Sequence, residues 1–302
     1  MDIVHSGRQV AWLGDRVFVV RSGVGVAELA VYPIDFTGDE QAISAISVCD
    51  GLGFLTAGPS RVYYRPQNAG NACDSTYEDL HSCDAAFMCN LTKYAIPNHI
   101  NGLAVVGSDI YFTMPLEAMY KDTLSPEGIP AGTDPLPIQV ELMVQPGLGA
   151  FLLSYDPKRD ALWWTTYEGC IYQLPRSMLP QSSVGCFGQT APSFGPLLIS
   201  PNDFFYLGGV SSGIYVVNPE SKVPEPATAF GSPDLRLRAV DSDYVFAYDG
   251  ANPSLVALRH GSGEERARLK LSEDALSVDA RHPKYVFFVA GSMLYRWRKP
   301  LP

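Results

Sequence analysis

Residues 102–113, GLAVVGSDIYFT, form a short apolar run, a polar turn at Gly107-Ser108-Asp109 and a second run ending in aromatics. Alternating β-branched and aromatic residues on either side of a tight polar turn predict a β-hairpin. A lone hairpin cannot bury its apolar face in water, so the unit needs neighbours. Copies of it recur along the chain.

Seven copies are legible: 10–21 (VAWLGDRVFVVR), a poor one at 46–56, then 102–113 and 150–165 (AFLLSYDPKRDALWWT). They continue at 196–207 (PLLISPNDFFYL), 235–248 (LRLRAVDSDYVFAY) and 275–289 (ALSVDARHPKYVFFV). A repeat of roughly 40–50 residues with four strands each is the signature of a β-propeller. Third and fourth strands follow several hairpins, as in 254–260 (SLVALRH) and 265–271 (ERARLKL). In each copy the first run carries small apolar residues, and the second carries bulky aromatics that should pack between blades. Trp163 and Trp164 stand side by side in such a second run, so one ring should face each neighbour.

The expected fold is therefore all-β: a seven-bladed β-propeller of four-stranded antiparallel blades, forming one domain over residues 1–302. The chain ends on a third strand, 292–299 (SMLYRWRK), and residues 2–6 precede the first hairpin with no other place. Pairing of the N- and C-terminal strands would complete the last blade, close the ring and cover an edge. Two stretches, 67–97 and 114–140, depart from the repeat and read as insertions.

Residues 102–113 and 239–248 resemble the GLAVD–turn–VYWT hairpin of bacterial extracytoplasmic β-propeller repeat proteins, themselves similar to NHL- and YWTD-like propellers. The resemblance implies a secreted, periplasmic or surface protein. Known roles in that group include binding, carbohydrate recognition and a few lyases and hydrolases.

Composition fits this fold. The chain of 302 residues is 46% hydrophobic and only 18% charged, and its 27 Gly and 24 Pro suit many short connections. A net charge of −10 argues against nucleic acid or an anionic membrane as partner. No stretch approaches the ~18 uninterrupted apolar residues of a membrane span. Met1–His5 has neither a basic segment nor a long apolar run, so export implies a leader already removed. The cysteines Cys49, Cys73, Cys83, Cys89, Cys170 and Cys186 have no CxxC spacing, which favours disulfides over metal and an oxidising compartment. Cys170 with Cys186 is the expected pair, both falling in the outer half of one repeat; the other four leave three pairings open.

No GxSxG, HExxH, Walker A or strand–GxGxxG–helix motif is present. In a propeller, the loops from second to third strands and from fourth strands to the next first strands share one face around the central channel. That face should receive Asn98, His99, Asn101, Tyr167, Glu168, Ser211, Ser212, Asp249, Asn252, Glu273 and Asp274. A binding module would use Asn98, Asn101, Tyr167, Asn252 and Asp274 to hold a protein, peptide or glycan, with Tyr120, Tyr167 and Phe194 as rim aromatics. The alternative is a propeller-type lyase or hydrolase with His99 as general base and Glu168, Asp249 or Asp274 as partner. No cofactor motif is present, although Glu168, Asp249 and Asp274 would suit calcium or magnesium if they converged in the channel. Asp15, Asp109, Asp203 and Asp243 recur at hairpin turns, where Asp is favoured for bonding nearby backbone N–H groups. The absence of catalytic motifs favours the binding module.

Overall fold

In the 102–113 hairpin, strands Gly102–Val106 and Asp109–Thr113 pair antiparallel, with Val106 opposite Asp109 across a two-residue turn. Gly107 takes a φ of 61° there, the left-handed conformation that a tight hairpin turn demands at its first central position. Gly14 does the same, at 60°, in the first hairpin. The computed structural model describes residues 9–22, 27–36, 44–48, 52–66, 79–94, 102–113, 119–132, 136–138, 141–142, 153–165, 171–178, 183–184, 194–209, 213–220, 224–291 and 293–301.

Seven antiparallel sheets follow in chain order, their strands neighbouring one another in sequence order. The first holds Val10–Leu13, Arg16–Ser22, Ala27–Pro33 and Ser44–Val48; the second holds Leu52–Ala57, Arg61–Pro66, Asp79–Asp84 and Cys89–Lys93. The third is Gly102–Val106, Asp109–Thr113, Met119–Thr123 and Leu136–Ile138; the fourth is Ser154–Asp156, Ala161–Thr165 and Ile171–Pro175. The fifth contains Phe194–Ile199, Phe205–Gly209, Ile214–Val217 and Pro224–Pro226. Leu235–Val240, Tyr244–Asp249, Ser254–Arg259 and Glu265–Lys270 make the sixth, and Ala275–Asp279, Tyr285–Ala290 and Met293–Arg298 the seventh. A two-stranded parallel pair, Glu141–Leu142 with Ser183–Val184, forms a separate small sheet.

Two sequence expectations change here. Residues 46–56 are not a hairpin: Ser44–Val48 ends the first sheet and Leu52–Ala57 begins the second. The Asp50-Gly51 dipeptide, a strong hairpin signal, lies outside the described residues, and the second sheet turns at Gly58, Pro59 and Ser60. The stretches read as insertions also supply strands. Residues 67–97 include Asp79–Asp84 and Cys89–Lys93, and 114–140 include Met119–Thr123 and Leu136–Ile138.

The sheets pack through their second strands. Successive side chains of a strand point to opposite faces, so each aromatic pair divides between two neighbours. Trp163 joins the core between the fourth and fifth sheets, with Phe205 edge-on at 5.0 Å, while Trp164 joins the core between the third and fourth. Tyr63 and Tyr64 divide in the same way, toward the third and first sheets. Apolar clusters lie between every consecutive pair of sheets, and a further one packs Phe287 and Val289 of the seventh sheet on Val10, Val17 and Val19 of the first. The first strand of each sheet lies against the first strand of the next, and Ala275–Asp279 lies against Val10–Leu13. Residues 1–8 fall outside the described residues, and the expected pairing of residues 2–6 with the last strand falls there with them.

Candidate ligand-binding site

Of the residues expected on the loop face, Asn98, His99, Asn101, Tyr167, Glu168, Ser211 and Ser212 lie outside the described residues. Asp249, Asn252, Glu273 and Asp274 lie within them, at one end of the sixth and seventh sheets. Asp249 ends the strand Tyr244–Asp249 and is buried. Its Oδ1 accepts the N–H groups of Ala251 and Asn252, both at 3.1 Å, forming an Asx-type turn into the next strand. Its Oδ2 accepts Nη1 of Arg268 at 2.8 Å. Burial alone would raise this carboxyl, but Arg268 and the two backbone donors outweigh it and hold the group below the ordinary carboxylate range. A carboxylate held this way is a poor proton acceptor, and both of its oxygens are occupied.

Asp274 lies in the connection from the sixth sheet to the seventh, and two arginines of the strand Leu235–Val240 close on it. Nη2 of Arg238 donates to both carboxylate oxygens, at 3.0 and 2.9 Å, and Nη1 of Arg236 donates to Oδ2 at 3.1 Å. Leu235, Leu237 and Ala239 of the same strand are buried in the core, so the alternation turns the arginines to the other side. A β-bulge between Leu237 and Ala239 makes Arg238 the extra residue against its partner strand. Tyr248 sits beside the group: burial and Asp274 push its hydroxyl upward, while Arg236 and Arg238 draw it down. Leu276, half exposed, lies at the bulge of the next first strand, two residues after Asp274. Asp249 is thus tied to Arg268 and Asp274 to Arg236 and Arg238, while Glu168, the third member of the expected cation site, lies outside the described residues. Among the described residues, no cluster of three or more His, Cys, Asp or Glu is placed to hold a metal ion.

The opposite end, at the hairpin turns, is held by carboxylates that the sequence pattern passed over. Asp156, Asp241 and Asp279, all buried, lie just before the turns of the fourth, sixth and seventh sheets. Oδ1 of Asp156 accepts the N–H groups of Lys158 and Arg159, and Oδ1 of Asp241 accepts those of Asp243 and Tyr244. Asp279 accepts the N–H of Arg281 and, through Oδ2, that of Trp12 at 2.7 Å. The four turn acids named from sequence have structural partners too. Asp15 pairs with Arg16, Asp109 with Lys121 and Arg176, Asp203 with Lys158 and Arg159, and Asp243 accepts the Ser242 hydroxyl. The rim aromatic Tyr120 is half-buried and stacks on Phe112 at 5.5 Å, and the side chain of Phe194 lies outside the described residues.

His260 is packed among partners at the hairpin-turn end. Phe204 stacks on it at 4.8 Å, its Nδ1 lies 3.0 Å from the Tyr206 hydroxyl and its Nε2 lies 3.0 Å from the carbonyl of Asp241. Burial holds its pKa below the ordinary value.

Cys83 and Cys89 form a disulfide across the hairpin of the second sheet, with Cα atoms 4.1 Å apart at directly opposed positions. Buried Arg61 fastens the same hairpin by donating to the Ser82 hydroxyl and carbonyl, the Met88 carbonyl and Oδ1 of Asn90. Cys49, Cys73, Cys170 and Cys186 lie outside the described residues, and with them the expected pair Cys170–Cys186.

No family model and no curated protein matches the chain. Among solved structures it is similar to PorZ, an essential bacterial surface component of the type-IX secretion system of the oral bacterium Porphyromonas gingivalis. The two are 14% identical at a TM-score of 0.64, and the match covers 99% of this chain and 38% of that one. The chain therefore spans about two fifths of the length of that structure, and the likeness is one of fold. In the described residues, no helix is long and apolar enough to cross a membrane.

Proposed function

We propose that this chain is an extracytoplasmic recognition module of the β-propeller kind, which binds a protein, peptide or glycan at the end of its sheets where Asp249, Asn252 and Asp274 lie. The observation that carries the reading is Asp274 held between Arg236 and Arg238, two residues before the half-exposed Leu276. This patch combines directional polar groups with accessible apolar surface, the usual make-up of a recognition site. Asp249 and Asp274, the described carboxylates of the catalytic alternative, are both ion-paired to arginine, which suits positioning better than proton transfer.

The seven sheets are the blades. The contacts of the seventh sheet with the first support a closed ring, in which residues 2–6 add a fourth strand to the open side of Met293–Arg298. The Cys83–Cys89 disulfide supports an oxidising compartment, as does the resemblance of the repeats to extracytoplasmic propellers. PorZ, a surface component, is in keeping with that placement.

Capture by the immobilised protein from an envelope extract, comparing two variants, tests the reading. Leu276→Glu places a charge at the proposed site, and Val216→Glu places one on an exposed position of the fifth sheet. The reading predicts that bound partners are lost with Leu276→Glu and kept with Val216→Glu. Equal capture by both variants, or loss only with Val216→Glu, would refute it.

A further inference from the structure

The seven first strands read VAWL, LGFLTA, GLAVV, SYD, FGPLLI, LRLRAV and ALSVD. Only one of them carries cationic residues, Arg236 and Arg238, in a chain whose net charge is −10. The bulge that makes Arg238 the extra residue is a device that re-aims a side chain. Asp274 engages Nη2 of Arg238 and Nη1 of Arg236, which leaves most of the ten guanidinium N–H donors of the pair unassigned by that carboxylate. Nε of Arg238 is buried and has no partner among the described residues. A buried charged donor left unpaired is costly, and a planar fork of donors is matched by a carboxylate.

We infer that Arg236 and Arg238 form a carboxylate-reading site for an acidic peptide segment, with Asp274 as its internal stand-in. The inference rests on the recognition reading and adds the chemistry of the ligand. Two guanidiniums facing one internal carboxylate leave a net positive charge, so a second carboxylate is accepted without expelling Asp274. An extended peptide fits better than a glycan because the strand Leu235–Val240 already accepts backbone pairing on its open side: the N–H of Gly213 donates to the Leu235 carbonyl at 2.8 Å in a parallel bridge. The bridge takes the Leu235 carbonyl, so a peptide adds beyond it along the strand, where its acids meet the arginines.

Fluorescein-labelled octaglutamate and octaglutamine are the probes, with fluorescence anisotropy as the readout on the disulfide-intact chain. An ionic strength of about 0.15 M confines electrostatics to a range of about 8 Å, which screens the overall negative charge but not the local contact. Octaglutamate binds and octaglutamine does not. Arg238→Gln and Arg236→Gln each weaken binding about tenfold, and Arg236, the more exposed of the two, provides the test should Arg238→Gln fail to fold. Asp274→Asn tightens binding, because it removes a neighbouring negative charge and leaves both guanidiniums uncompensated; a purely structural ion pair gives no such gain.

Equal binding of the two peptides overturns the inference, as does weaker binding by Asp274→Asn with an unchanged urea midpoint. Binding of polygalacturonate in place of octaglutamate overturns the peptide assignment. If octaglutamate fails to bind while Leu276→Glu still abolishes partner capture, the inference falls and the recognition reading stands. If Leu276→Glu leaves capture intact, the recognition reading itself falls.

Discussion

Asp279 accepts the backbone N–H of Trp12 at 2.7 Å, joining residues 267 positions apart and fastening the seventh sheet to the first. Ser277 makes a second such link, its hydroxyl accepting the N–H of Val10 at 3.1 Å. Arg281 extends the junction to a third sheet, donating to the carbonyls of Trp12 and, in the second sheet, Ala57.

Asp279→Ala removes two backbone hydrogen bonds and the ion pair with the partially exposed Arg281. After discounting the ion pair for solvent screening, the expected loss is about 2 kcal/mol. Urea unfolding measures it. Asp15→Asn, at an exposed turn, should change stability by no more than about 0.5 kcal/mol. Equal effects of the two variants would mean that Asp279 has no special part in the junction.

Trp163→Ala should be far more damaging. The ring is fully buried between the fourth and fifth sheets, and truncating a core tryptophan typically costs about 3–5 kcal/mol. A thermal melt of the variant should show a large drop in midpoint. A shift of only a few degrees would place the ring outside a packed core.

Replacing both Cys83 and Cys89 with Ala opens a short loop of the second sheet. Chain-entropy reasoning for so small a loop gives a loss of about 2 kcal/mol. Arg61 still ties that hairpin through its hydrogen bonds, so the strands should stay paired. Far-UV circular dichroism would remain unchanged while the denaturation midpoint falls; a lost sheet signal would contradict this.

Stability should fall as the medium is acidified from pH 7 to pH 5. His260 and His282 both titrate below the ordinary histidine value, chiefly because burial disfavours the charged ring. Below about pH 6.5 the unfolded chain therefore binds more protons than the folded one, and stability rises with pH through that window. His260→Gln should flatten part of this slope in melts recorded across the range. An unchanged slope would assign it to other groups.

The sequence was most legible where each strand states its own role. YVFAYD at 244–249 alternates and is aromatic, and it forms a fully buried second strand. The hairpins at 10–21, 102–113, 150–165, 196–207, 235–248 and 275–289 all draw on the same local signals. Residues 46–56 failed because an Asp-Gly pair signals a turn without saying which strands it joins. The Arg238–Asp274 contact was not legible, because it depends on a one-residue bulge that a period-two reading cannot locate. Asp279 was passed over for the same kind of reason: its partner Trp12 lies at the other end of the chain. LRLRAV did offer one usable clue, two arginines in a run that should be small and apolar.

The proposed ring depends on the seventh sheet lying on the first. Native-state hydrogen exchange read at the amides of Val10 and Trp12 tests this most directly. Both amides should be strongly protected, and in Asp279→Ala the protection of Trp12 should collapse while that of Phe246 and Phe287 persists. Exchange at Val10 and Trp12 as fast as in an unstructured peptide would contradict the junction, and with it the closed ring.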